Sequence, residues 1–140
     1  MDAAIAGAVL LGICEPQMTG IGGDCFVLFT PSGGTEIQAL NGSGRAPKAA
    51  LAAPLRERGL ATIPLDSADA VTIPGAVDAF CNLLQNHGRI GIDAVLQPAI
   101  DYAVAGVPVA PRVAFDWAND AKTLQGVARQ HYLIDGRAPK

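Results

Sequence analysis

An apolar helix, a glycine-rich loop and an apolar strand follow one another at the start of the chain, and this order limits the possible fold most strongly. Residues 1–14 are rich in alanine and leucine and apolar on nearly every side. They predict a buried helix over residues 2–14, with Asp2 near the positive end of its dipole. Pro16 ends this helix because proline disfavours helical geometry at the preceding residue. The loop TGIGGD then leads into the strand CFVLF.

The remainder of the chain predicts a β-hairpin followed by helices. Two strand-like runs flank a glycine-containing turn at residues 31–34 and predict a hairpin over residues 25–41, with the second strand at 35–40. The first strand is apolar throughout, so we expect it to be buried on both faces. Mainly helical structure is expected over 49–124, as helices at 49–58, 74–86, 92–105 and 111–124. Residues 125–140 lack apolar periodicity and predict no element.

Composition indicates part of a larger α/β structure. Hydrophobic residues make up 50% of the chain and 16 further residues are glycine. Typical domains reach only about 45–50% when glycine is included. Too few polar residues remain to cover a free-standing domain, so we expect residues 1–140 to form a single incomplete domain.

Charge and hydropathy exclude several partners. A net charge of −3 and a pI near 5.1 argue against nucleic acid, which requires a basic surface. No apolar run reaches the roughly 20 residues of a membrane span. The first residues also lack the basic leader of a signal peptide, since Asp2 stands where positive charge is required. The compartment of the protein stays open.

No complete catalytic or metal-binding motif is present. GIGGD lies after a helix and before a strand, whereas a dinucleotide fingerprint requires strand, glycines and helix in that order. Three cysteines form no CxxC pair, and the two histidines are far apart, so no metal site is expected. We interpret His87 as a last-turn residue that favours the negative end of its helix. We expect no cofactor and no catalytic residue within this chain.

Three sequence blocks in one order resemble the γ-glutamyltranspeptidases. They are MDAAIAGAVLLGICEPQMTGIGGDCFVLF, VTIPGAVDAF and VLQPAIDYAVAGVPVAPRVA, and the likeness extends from residue 1 to about residue 113. Such a resemblance implies an N-terminal-nucleophile hydrolase with a four-layer α/β/β/α sandwich, of which this chain is the early part of the large subunit. It also implies a precursor that cleaves itself, exposing the threonine nucleophile of the small subunit. The expected partners are the remainder of the large subunit and that small subunit.

The activity implied by this resemblance is transfer of a γ-glutamyl group from glutathione or a related amide to water or an amino acid. Typical members carry Asp-Phe-Arg-Glu-x-Ala-Pro after the second strand, and that arginine binds the α-carboxylate of the donor. Here the corresponding segment is NGSGRAP, with Ser43 in the arginine position and Arg45 two residues later. In an extended segment, positions 43 and 45 face the same side with Cα atoms about 6.5–7 Å apart. Both residues are therefore candidates for substrate binding.

Several alternatives stay open at this stage. NGSGRAP resembles a branch of the family close to cephalosporin or glutaryl acylases, which implies an acylase of altered acyl preference. A truncated, non-catalytic product is a third possibility. Arg45 could instead form an ion pair with a carboxylate. Gly20, Gly22 and Gly23 either permit a tight turn with positive φ or contribute to the floor of the substrate pocket, and Asp24 is expected to accept from local backbone amides.

Overall fold

The computed structural model describes residues 1–139, which form two compact units. One contains residues 1–2 and 21–92, and the other contains residues 3–20 and the chain from Asp93 onward. The helices are α1 (Asp2–Cys14), α2 (Ala52–Glu57), α3 (Ala76–His87), α4 (Ile92–Ala105), α5 (Pro111–Asp120) and α6 (Gly126–Tyr132). The strands are β1 (Cys25–Phe29) and β2 (Gln38–Gly42), and a short 3₁₀ helix spans Ala68–Ala70.

The two strands form an antiparallel hairpin. Its register pairs Cys25 with Gly42, Val27 with Leu40 and Phe29 with Gln38. The second strand therefore begins three residues later than the prediction of 35–40. Pairing with β1 selects this register, because it places Leu40 opposite Val27 on one face of the sheet.

Only one face of the hairpin is covered, and the prediction that β1 is buried on both faces is wrong. Cys25, Val27 and Phe29 are half-buried, whereas Phe26 and Leu28 are 69% and 77% exposed. An apolar run is compatible with either arrangement, since its composition does not say which element covers each face. We refer to the side of Val27 as the inner face and to the side of Leu28 as the outer face.

Helix α3 lies against the inner face. It contacts both strands, and its residues Ala76, Ala79 and Leu83 are buried. Near its C-terminal end the His87 ring meets the Phe29 ring edge-on, with centroids 4.7 Å apart. His87 lies in the last turn of the helix, as expected.

The C-terminal end of α3 is followed by a hydrogen-bonded loop. The Arg89 amide donates to both carboxylate oxygens of Asp2 at 3.0 and 3.1 Å, and the Ile90 amide donates at 3.4 Å. The Arg89 hydrogen bond lowers the pKa of the Asp2 carboxyl, as the Ile90 bond does to a smaller extent; burial acts in the opposite direction. Asp2 thus fixes the loop that connects α3 to α4.

The second unit is helical. Gly106, with a φ of 86°, follows the last residue of α4, and Pro111 is the first residue of α5. Helix α5 ends at Asp120 rather than at residue 124. The expectation of no element after residue 125 is also wrong, because α6 spans seven residues there.

Tertiary contacts explain why sequence pattern does not reveal α6. The ring of Tyr132 lies 6.2 Å from that of Trp117, and the Arg129 guanidinium donates to the Ala121 carbonyl at 3.4 Å. A helix this short is not stable by itself, so such contacts decide whether it forms.

Among residues 1–139, no helix combines the length and the apolar composition that a membrane crossing requires.

Candidate functional site

The loop at residues 41–45 carries both candidate site residues. It leaves β2 and runs beside residues 72–75, which precede α3. The Ile73 amide donates to the Arg45 carbonyl at 3.0 Å, and the Ser43 amide donates to the Asn41 side-chain oxygen at 2.9 Å. We call residues 41–45 the arginine loop.

Three glycines allow the arginine loop to lie against the segment before α3. A Cβ atom at Gly44 would overlap the Ile73 carbonyl oxygen, and one at Gly75 would overlap the Gly42 carbonyl oxygen. A Cβ atom at Gly42 would lie 2.5 Å from that of Ala79. None of these glycines has positive φ. Gly44 and Gly75 are required by the close approach of two backbones, and Gly42 by the contact with the Ala79 side chain.

Asp24 connects the arginine loop to the rest of the site. Its Oδ1 atom accepts from the Gly44 amide at 2.8 Å and from the Thr72 hydroxyl at 3.3 Å. The expectation that Asp24 binds local amides is therefore wrong, because Gly44 lies 20 positions away.

The carbonyl of Gly23, the residue before Asp24, accepts from the amides of Gly75 and Ala76 at 3.0 Å each. These two amides lie at the start of α3, where the helix supplies no partner for them. The end of the glycine-rich loop thus joins the start of α3.

The glycines of TGIGGD do not have the predicted conformation. Gly20, Gly22 and Gly23 all lack positive φ, and no heavy atom lies within 4 Å of a Cβ atom built at any of the three. Residues 21–22 do form a turn, but the expectation that these glycines provide positive φ is wrong. Besides the Asp24 carboxylate, this loop contributes the Gly23 carbonyl to the site, a backbone group that any residue could supply.

Ser43 and Arg45 are both exposed in the arginine loop. The Ser43 hydroxyl donates to the Gly44 carbonyl at 3.4 Å. Among residues 1–139, no carboxylate lies within 4.0 Å of the Arg45 guanidinium; the ion pairs found there are those of Arg58 with Asp69 and Arg112 with Asp116. The ion-pair alternative for Arg45 thus finds no partner in the described part of the chain.

The described residues contain no assembled nucleophile or metal site. Burial raises the pKa of the Cys25 thiol, which disfavours the reactive thiolate. Residues 1–139 include no group of three His, Cys, Asp or Glu side chains arranged to hold a metal ion. The site can therefore present the positively charged guanidinium of Arg45 from the hydrogen-bonded arginine loop.

Sequence reasoning missed Asp24, Thr72 and Gly75 as parts of this site. The contacts span 20 to 48 positions along the chain, and a single sequence carries no signal for such pairings. The glycines of the Asn-Gly-Ser-Gly segment and of the Pro-Gly before α3 are visible in the sequence, but nothing there shows that these two segments meet.

The Gamma-glutamyltranspeptidase family model matches residues 1–140. The chain belongs to the γ-glutamyltranspeptidase family. This confirms the family resemblance seen in the sequence.

Individual relatives include both hydrolases and acylases. The chain is 36% identical to the glutathione hydrolase-like YwrD proenzyme of Bacillus subtilis (strain 168), over 99% of this chain and 26% of that protein. It matches the crystal structure of cephalosporin acylase from Bacillus halodurans with a TM-score of 0.88 and 35% identity, over 99% of this chain and 27% of that one. It also has the fold of part of Helicobacter pylori γ-glutamyltranspeptidase, with a TM-score of 0.85 at 24% identity, over 98% of this chain and 40% of that one. The chain spans about a quarter of the length of the first two proteins.

Proposed function

We propose that this chain is the early part of the large subunit of a γ-glutamyl transferase/hydrolase. The complete enzyme would cleave γ-glutamyl amides such as glutathione and transfer the γ-glutamyl group to water or an amino acid. The nucleophilic threonine lies outside these 140 residues, in the small subunit formed by self-cleavage. The 140-residue chain alone is therefore expected to be inactive.

The exposed guanidinium of Arg45 is the observation that supports this proposal. The backbone carbonyl of Arg45 accepts from the Ile73 amide, and the amide of the preceding residue, Gly44, donates to Asp24. No carboxylate among residues 1–139 neutralises the charge of the Arg45 guanidinium. An arginine of this kind matches the planar geometry of a carboxylate. Arg45 would bind the α-carboxylate of the donor, and Ser43 would contact the same end of it.

The fold proposed for the complete enzyme is an α/β/β/α sandwich. In this chain α3 covers the inner face of the hairpin, which corresponds to one helix layer on one sheet. The outer face, with Phe26 and Leu28, would meet the second sheet, supplied by the remainder of the large subunit and by the small subunit. Sheets that pack face to face bury their apolar inner residues in this way.

The chemistry divides between this chain and its partners. The threonine hydroxyl attacks the amide carbonyl with its own α-amine as base, forming an acyl-enzyme and releasing the amine. Water or an amino acid then attacks the ester and regenerates the threonine. Arg45 takes no part in these bond changes; it holds the donor so that the scissile carbonyl meets the nucleophile.

An acylase of altered acyl preference is the second candidate. Ser43 occupies the position where typical transpeptidases have the carboxylate-binding arginine. A displaced arginine would bind a carboxylate at a different place and thereby change which acyl groups fit. A γ-glutamyl group and a glutaryl group both present a carboxylate, and only the former adds an α-amino group.

A direct comparison of substrates tests the proposal in the complete protein. Self-cleavage and the release of aniline from γ-glutamyl anilide and glutaryl anilide would be measured for the wild type and for Arg45→Ala. The γ-glutamyl anilide should be preferred, and Arg45→Ala should raise its KM about 10- to 150-fold, which corresponds to one lost hydrogen bond to a charged group. Arg56→Ala, which removes another exposed arginine without a described ion pair, is the matched control.

The possible outcomes separate the candidates. A preference for glutaryl anilide assigns the protein to the acylases. Absence of both self-cleavage and turnover contradicts both enzyme proposals and favours the non-catalytic alternative. Unchanged kinetics in Arg45→Ala, with an active wild type, would remove Arg45 from the substrate site.

A further inference from the structure

We infer that Asp24 is the positioning residue of the substrate site, fixing the backbone from which Arg45 reaches the donor carboxylate. This inference rests on the proposed function and adds to it a residue from the glycine-rich loop. It follows from the contacts on either side of Arg45.

The backbone of Arg45 is held from two directions. Asp24 accepts from the amide of Gly44, the residue directly before Arg45, at 2.8 Å. The carbonyl of Arg45 accepts from the Ile73 amide at 3.0 Å. The Ser43–Gly44 peptide and the Arg45–Ala46 peptide are therefore both held, one on each side of the Gly44–Arg45 peptide, and this limits the positions open to the Arg45 Cα atom.

The arginine loop needs such an anchor. Gly44 is required by the close approach to Ile73, and Gly42 by the contact with Ala79, but glycines also leave a loop with more conformational freedom than other residues. A side-chain acceptor that lies outside the loop holds the Gly44 amide and limits that freedom. The same oxygen of Asp24 accepts from the Thr72 hydroxyl, so the anchor is itself held in place.

Asp24 fixes the loop without neutralising the arginine. Its carboxylate binds a backbone amide and a hydroxyl, and its oxygens lie more than 4.0 Å from the Arg45 guanidinium. The positive charge stays available to an anionic donor. Asp24 therefore acts through the geometry of the loop, and a group that keeps the hydrogen bonds should replace it whether or not it is charged.

Three substitutions in the complete protein test this inference. Asp24→Asn keeps an acceptor oxygen in place and loses the charge, Asp24→Glu keeps the charge and moves the oxygens, and Asp24→Ala removes both. We expect Asp24→Ala and Asp24→Glu to raise the KM for carboxylate-bearing anilides about 5- to 30-fold with little change in kcat. Asp24→Asn should stay within about threefold of the wild type.

Two controls identify the cause of any change. Pentanoyl anilide matches the acyl length of glutaryl anilide but has no carboxylate, so its turnover should respond to none of the three variants. Asp66→Ala removes an exposed carboxylate that has no hydrogen-bond partner in residues 1–139, and should behave as the wild type. Since Asn and Glu are both conservative, their comparison decides the matter even if Asp24→Ala does not fold.

Hydrogen exchange of residues 41–45 supplies a readout that does not depend on turnover. The Gly44 amide should exchange faster in Asp24→Ala and Asp24→Glu and remain protected in Asp24→Asn. Unchanged exchange of the Gly44 amide in all three variants would overturn the inference. So would a KM raised as much in Asp24→Asn as in Asp24→Ala, together with a wild-type KM in Asp24→Glu. If the wild type cleaves no amide, the proposed function has failed, and exchange alone then decides whether Asp24 fixes this loop.

Discussion

The two faces of the hairpin differ in how completely residues 1–139 cover them. On the inner side, α3 covers the sheet, and Gly42, Gly44 and Gly75 permit close contacts. The Asp24 carboxylate and the Gly23 carbonyl accept hydrogen bonds from backbone amides there. On the outer side, Phe26 and Leu28 are exposed. The polar contacts of the arginine loop are thus formed within residues 1–139, while the apolar outer face has no cover there.

This difference indicates what the chain can organise by itself. Hydrogen bonds and close glycine contacts need only the two segments that make them. Burial of an apolar sheet face needs a second layer of structure. We therefore expect substitutions on the inner side to act through contacts already present, and substitutions on the outer side to act only in the complete protein.

The largest effect is expected at Gly44. In Gly44→Ala the new Cβ atom would overlap the Ile73 carbonyl, so the two backbones must separate and the Asp24 contact must lengthen. We expect a loss of about 2–4 kcal/mol in the free energy of unfolding, measured by urea denaturation of the complete protein. Gly22→Ala, where the space is open and φ is not positive, should stay within about 0.5 kcal/mol. Equal stability of the two variants would mean that the close packing of the inner side is absent.

An intermediate effect is expected on the outer face. If the complete protein covers this face with a second sheet, Leu28→Ala should lower its free energy of unfolding by about 2 kcal/mol or more. Leu65→Ala is the control, because Leu65 is 98% exposed and belongs to no strand; its effect should remain within about 0.5 kcal/mol. Identical small losses in both variants would argue against the proposed sandwich.

The smallest effect is expected at Asp2, at the other end of α3. Its carboxyl pKa is lowered from the ordinary 3.8, mainly by the Arg89 amide. A lowered pKa in the folded state means that the carboxylate stabilises the fold at pH values above the unfolded pKa, and that this contribution is lost as pH falls through the folded value. The Tm difference between the wild type and Asp2→Asn should thus be constant near neutrality and shrink from about pH 4 downward. A difference that does not change with pH would show that charge on Asp2 contributes nothing.

Much of the local structure could be predicted from the sequence. Alanine-rich and leucine-rich composition with a following proline gave α1 its limits at Asp2–Cys14, and Gly106 marked the end of α4. The predictions were wrong where the local conformation depends on contacts with residues distant in the sequence. Helix α6 depends on Trp117, the register of β2 depends on β1, and the TGIGGD glycines do not adopt the positive φ that their type suggested.

By itself the sequence determined the order of elements as far as α5, because these follow from residue types at short spacing; its resemblance to the γ-glutamyltranspeptidases indicated the family and the two candidate residues Ser43 and Arg45. Only the tertiary structure decided that Asp24 holds the Gly44 amide and that Gly44 and Gly75 lie where backbones meet. The physical reason is that hydrogen bonds and steric fit depend on distance in space. Periodicity and composition describe only neighbours along the chain, and segments 20 or more positions apart meet only once the chain has folded.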